Sequence, residues 1–119
     1  MNPEDMKLRT KSFALSVIKA VNSLPKGKET DVIGRQSLKS GTSVGANYRA
    51  ACRAKSTADF INKMSIVEEE ADESGFWMEL LIENGLTTDQ RLGELKAESH
   101  ELPAIAIASI NTARKGASK

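Results

Sequence analysis

Cys52 stands among Arg49, Arg53 and Lys55, cations close enough in sequence to lower the pKa of a thiol and favour its nucleophilic form. A lone cysteine on a helical face is ordinarily a small core residue instead. An enzymatic reading therefore rests on Cys52 alone, and no catalytic residue is assigned. A second candidate is the acidic run Glu68, Glu69, Glu70, Asp72 and Glu73. Di-metal carboxylate sites in helical bundles also need a Glu-x-x-His pair on each of two helices. The sole histidine is His100, with Ala97 three residues before it, so the ligand set fails. The acids read as a solvated face, with one or two carboxylates expected to pair with Arg49 or Arg53 across a helix interface. Neither a metal nor a cofactor is expected.

Gly41-Thr42-Ser43-Val44-Gly45 lacks the lysine and the preceding strand of a phosphate-binding loop. Tyr48 and Trp77 are too few and too scattered for a base-stacking platform. What survives is a set of cations: Lys39, Arg49, Arg53 and Lys55. Arg49 and Arg53, four residues apart, share a helical face. They suit phosphates, and they suit Glu69, Asp72 or Glu73 equally well.

The elements that must position these residues are marked by start and stop signals. Asn2-Pro3-Glu4-Asp5 combines a cap, a proline at the first helical position and two acids at the positive end of the helix dipole. It predicts helix one over 3–24, with Leu8, Ala14, Val17, Ile18 and Val21 on the buried face. Pro25-Lys26-Gly27 ends it. Thr30 or Asp31 is expected to cap helix two, over 31–54. Ser56 with Asp59 three residues later caps helix three, over 57–84. Phe60, Met64, Val67, Ala71, Ser74, Met78 and Leu81 form its stripe, alternating steps of four and three. Asn84-Gly85 closes it as a left-handed cap. Thr87-Thr88-Asp89-Gln90 opens helix four, over 88–115, with Leu92, Leu95, Leu102, Ala106 and Ile110 inward. Pro103 is expected to kink that helix near Ser99 without splitting it.

No segment shows the alternation of a strand, and short connections force antiparallel neighbours. The fold class is all-α, one domain over 1–119, an antiparallel up-down-up-down four-helix bundle. With 119 residues, 28% charged and 39% hydrophobic, the chain has the balance of a soluble globular domain. One cysteine allows no intrachain disulfide. The N-terminus lacks the apolar stretch of a signal peptide, and no run spans a bilayer, so the expected location is cytoplasmic, with no membrane partner.

The net charge of +1 conceals segregation: residues 1–55 carry +7, residues 56–101 carry −9, and residues 102–119 carry +3. Such blocks either neutralise one another inside a bundle or form a footprint for an anionic ligand. Helix two also aligns Gly34, Gly41, Gly45 and Cys52. Glycine costs about 1 kcal/mol in a helix interior, so a close neighbour is expected there. In PAIAIASI, the residues Ile105, Ile107 and Ile110 spread around the helix and point to a subunit interface.

The run SLKSGTSVGANYRAACRAKSTADFINKMSIVEEEADESGFWMELL resembles the signature of the bacterial four helix bundle proteins, the 23S rRNA intervening-sequence family. Its most specific parts are SGTSVGANYR (40–49), Asp59-Phe60, and Glu70-Ala71-Asp72-Glu73 followed by Trp77. Leu24-Pro25-Lys26 and INTAR (110–114) also fit, so the likeness spans nearly the whole chain. The resemblance implies an antiparallel bundle assembled as a homopentamer, with RNA, a reverse-transcriptase-like protein or a ribosome-associated protein as partner. It brings no catalytic residues. The basic accessory protein of diversity-generating retroelements is similar, but this chain is nearly neutral. Two readings follow: an oligomeric, non-enzymatic bundle engaging RNA or an RNA-handling protein through Lys39, Arg49, Arg53 and Lys55, or a protein–protein interaction scaffold with no nucleic-acid affinity.

Overall fold

The computed structural model describes residues 2–117. Four helices follow one another: α1 (Pro3–Asn22), α2 (Lys28–Cys52), α3 (Thr57–Glu83) and α4 (Gln90–Ala117). Each packs against its sequence neighbour, and α4 returns to α1 along a thinner seam, giving an antiparallel four-helix bundle with extents of 53 × 21 × 19 Å.

Local chemistry explains the boundaries. The Asn2 side chain accepts the Asp5 N–H at 2.9 Å, and Pro3 occupies the first turn. The Ser56 hydroxyl accepts the Asp59 N–H at 3.0 Å, while the Asp59 carboxylate accepts the Lys55 N–H at 3.2 Å and pairs with Lys63 at 3.1 Å. Gly85, at φ 68°, ends α3: the Leu86 N–H reaches Leu81 O and the Gly85 N–H reaches Ile82 O, the paired bonds of a left-handed cap. Asp89 accepts the Arg91 N–H at 2.9 Å as α4 begins.

Helix two departs from expectation. Gly27, in extended backbone, precedes its first residue, so α2 begins three residues earlier than a Thr30 cap, and four earlier than an Asp31 cap, would place it. Thr30 lies inside the first turn and donates its hydroxyl to Gly27 O at 3.0 Å. The buried face of α1 is also rotated from the one expected. Met6, Thr10, Phe13, Val17 and Ala20 face inward, whereas Leu8 is 65% and Ile18 36% exposed. The observed phase places Val17 and small Thr10 where α2 comes close, against Gly41 and Gly45, which a face led by leucine and isoleucine would prevent.

That close approach organises the core. A Cβ at Gly34 would lie 3.1 Å from Val21 Cγ1, and one at Gly41 would lie 2.9 Å from Val17 Cγ2. The α2 glycines are thus used within the bundle, against α1. Across the molecule, a Cβ at Gly75 would fall 2.5 Å from Ser99 Oγ, so α3 and α4 meet in the same manner. Between α2 and α3, Ser74 donates to Ser40 Oγ at 3.1 Å, and Ser37, Ser40 and Ser74 also bond the carbonyl one turn back. Among the described residues no buried side-chain polar atom lacks a partner. The α3 stripe packs as expected, with Met64, Val67, Ala71, Met78 and Leu81 fully buried beside Leu92, Leu102 and Ala106 of α4. Helix α4 runs unbroken through Pro103.

One ionic clamp closes the α1–α4 seam. Arg9 donates to both carboxylate oxygens of Glu98 at 2.6 Å and to Glu101 at 2.5 Å. The Arg9 hydrogen bond holds the Glu98 carboxyl below the usual carboxylate range, against the opposing effect of burial.

Three outcomes are expected. Gly93 has open space where a Cβ would stand, so Gly93→Ala should stabilise the fold by about 0.5–1 kcal/mol in urea unfolding. Gly41→Ala gains the same propensity but must displace stiff, β-branched Val17, and should destabilise by about 1–2 kcal/mol net. The Glu98 carboxyl is depressed on folding, so its contribution is present above its unfolded value, near 4.3, and is lost as pH falls through that region. Glu98→Gln should therefore cost about 1–2 kcal/mol at pH 7 and flatten the loss of stability below about pH 5.

Candidate nucleic-acid interface

Because Gly34, Gly41 and Tyr48 turn α2 toward the bundle, its opposite face must point outward. Arg35, Lys39, Arg49 and Arg53 are exposed on that side, at helical steps that keep them aligned, with Lys28 at the start of the line. Glu29 and Asp31 lie in the first turn, and from Val32 to Arg53 the helix contains no carboxylate. The stripe runs the length of a 25-residue helix, about 37 Å at 1.5 Å per residue.

Of the four cations expected to form the site, Lys39, Arg49 and Arg53 fall on this face, and Lys55 lies in the turn that follows. Lys28 and Arg35 were missed. Their signal was present in the sequence as seven- and four-residue steps leading to Lys39, but a helix started at residue 31 left out Lys28, and Arg35, inside that helix, was passed over. The expected pairing of Arg49 or Arg53 with Glu69, Asp72 or Glu73 does not form: among the described residues neither arginine enters an ion pair. Glu69, Asp72 and Glu73 instead face solvent on α3. Between the two helices, the positive charge of Lys39 acts on Glu70 and favours its ionised form. Burial, helped by Glu73, nonetheless raises the Glu70 carboxyl above its ordinary value.

The interface expected on α4 is only partly available. Ile110 is 6% exposed and belongs to the core, because it continues the Leu102–Ala106 stripe. Ile105 is half-buried against that core, and Ile107 remains outside at 43% exposure. Larger apolar exposure occurs on α1, where Leu8, Leu15 and Ile18 line the face turned away from the bundle.

Cys52 is exposed and does not join the core. It sits one turn after Tyr48, whose phenol is raised above its ordinary value by burial first and by the bond with Cys52 second. Both border an open groove of about 1070 Å³ at the end of the bundle where α2 passes into α3. His100 is exposed, and among the described residues no three His, Cys, Asp or Glu side chains converge on a metal position. Among those residues no helix is long and apolar enough to cross a membrane.

Residues 5–108 match the 23S rRNA-intervening sequence protein family. A crystal structure from Bacteroides thetaiotaomicron, described as a protein with unknown function from the S23 ribosomal protein family, is similar in fold and sequence. It superposes with a TM-score of 0.84 at 35% identity, over 93% of this chain and 99% of that one. None of the curated proteins matches this chain.

The placement of Cys52 is directly measurable. A neutral alkylating reagent should modify it fully in the native protein without denaturant, and Cys52→Ser should leave the unfolding midpoint within about 0.5 kcal/mol of wild type, as for other exposed positions.

Proposed function

Since the chain belongs to the 23S rRNA-intervening sequence protein family, we propose that it is a non-enzymatic, self-associating bundle of the cytoplasm that binds RNA along the outer face of α2. The observation that carries this reading is the line Arg35, Lys39, Arg49 and Arg53, exposed along one face with no carboxylate among them. Cations that enter no ion pair in their own fold can replace counterions on a phosphate chain. Self-association, in the homopentameric ring that the family resemblance implies, draws support from the exposed Leu8, Leu15, Ile18 and Ile107. A ring would repeat a modest cationic stripe several times on one particle.

A second reading has its own support in Glu69, Asp72 and Glu73, which are exposed on α3. The basic face of one copy would then dock on the acidic face of the next, leaving a protein–protein scaffold without nucleic-acid affinity.

Titration with single-stranded RNA separates the two. Four phosphate contacts at about 0.7 counterion each give a log–log salt slope near −3, an affinity loss of about 50-fold between 50 and 200 mM salt. Arg49→Glu/Arg53→Glu should weaken binding, reduce the slope by about 1.4 and leave the oligomer intact in analytical ultracentrifugation. If that variant binds as wild type does, the α2 assignment is wrong. If it instead falls apart into monomers, the scaffold reading is the right one.

A further inference from the structure

The basic stripe does not stop at the end of α2. Arg49 is one i, i+3 step from Cys52, which lines the large groove, and Lys55 in the following turn lines it too. Lys7 enters from α1, where it also meets Glu4 at 3.4 Å. Among the described residues both charged side chains of the lining are thus lysines, and no carboxylate borders the space. The remaining wall divides into two kinds of surface. Phe60 and Ile105, both half-buried, give an apolar side. Ser56, Thr57, Ser109 and Thr112 give a hydroxyl rim. At about 1070 Å³ the groove reaches the upper end of the range, about 300–1,000 Å³, of sites that take small organic ligands.

Resting on the reading that α2 tracks an RNA strand, we propose that this groove receives an unpaired nucleotide of that strand. The base lies against Phe60 and Ile105, its polar edge meets the hydroxyl rim, and the flanking phosphates meet Lys7, Lys55 and Arg49. A base held in a helix cannot enter a recess between four helix ends, because its faces and edges are already occupied by stacking and pairing. The groove therefore makes the protein selective for single-stranded RNA, or for a looped-out nucleotide, over a continuous duplex. The outer face of α2, which offers point charges alone, gives no preference for the single strand.

The test compares one RNA sequence as a free strand and as a perfect duplex, at one salt concentration, by fluorescence anisotropy. Wild type should prefer the single strand by about tenfold or more, the effect of accommodating one base. Ser109→Leu/Thr112→Leu fills the groove without adding charge or an aromatic ring. It should abolish that preference and leave duplex affinity and its salt slope unchanged. Thr112→Leu alone, at an exposed position, gives a partial loss should the double variant fail to fold. Independently of any substitution, the single strand should protect Cys52 from iodoacetamide in wild type, and the duplex should not.

Equal affinity of wild type for strand and duplex overturns the groove assignment. So does a preference that survives groove filling, or a Cys52 that stays equally reactive when the strand is bound. In each case the α2 reading stands as long as Arg49→Glu/Arg53→Glu weakens RNA binding. Where that charge reversal changes nothing, the α2 reading fails on its own.

Discussion

Nothing larger than a hydrogen fits between Gly41 and Val17, or between Gly75 and Ser99 as its side chain stands. The bundle is drawn together at these points, and much else follows from how narrow it becomes. With extents of 21 and 19 Å across, there is room inside for one stripe per helix. The stripes accordingly interleave small Ala and Ser with Val, Met and Leu, and among the described residues Phe13 is the one phenylalanine that is buried. Hydroxyls enter this core at little cost, since Thr10, Ser37, Ser40 and Ser74 each bond a carbonyl of their own helix. Long charged side chains have no place between such closely packed helices.

The charge segregation along the chain thus becomes a segregation in space. Of the ion pairs among the described residues, those of Lys7, Lys63 and Arg91 bind acids within four positions of themselves, and Arg9 alone crosses between helices. The remaining cations of α2 and acids of α3 end on separate outward faces. Neutralisation inside the bundle, the commoner fate of opposite charge blocks, is largely unused here. This leaves two chemically distinct surfaces on a nearly neutral protein, a property that net charge alone conceals.

The helices and their ends were legible because they depend on neighbours in sequence. Ser56 with Asp59, Asn84-Gly85 and the seven-residue stripe of α3 are local patterns, and each does in the fold what its spacing indicates. The face of α1 was not legible, because the choice between Leu8 and Thr10 is settled by how near α2 comes. Residue size on the partner helix decides that, and α1's own periodicity does not contain it. Cys52 illustrates the same limit: its type suggests burial, yet it lies where α2 ends and its neighbours part. Ile110 shows the converse, since one residue was read both as part of the inward stripe and as part of an outward surface, and the inward stripe prevailed. Of the candidate site, the cations were visible as residues but not as a stripe, because an error of one turn in the start of α2 hid Lys28 and left Arg35 without its place in the line.

An even number of antiparallel helices has one more consequence, which concerns access. Helix α1 begins and α4 finishes at the end of the bundle where α2 hands over to α3, and Pro3 and Ala113 both border the groove there. Anything joined to either side of the bundle emerges beside that opening. A purification tag or a fused reporter would crowd the recess, whereas an insertion in the turn between α1 and α2, or between α3 and α4, would leave from the far end, the length of the 25-residue α2 away, about 37 Å at 1.5 Å per residue. The geometry thus dictates where a label can be carried without becoming a plug.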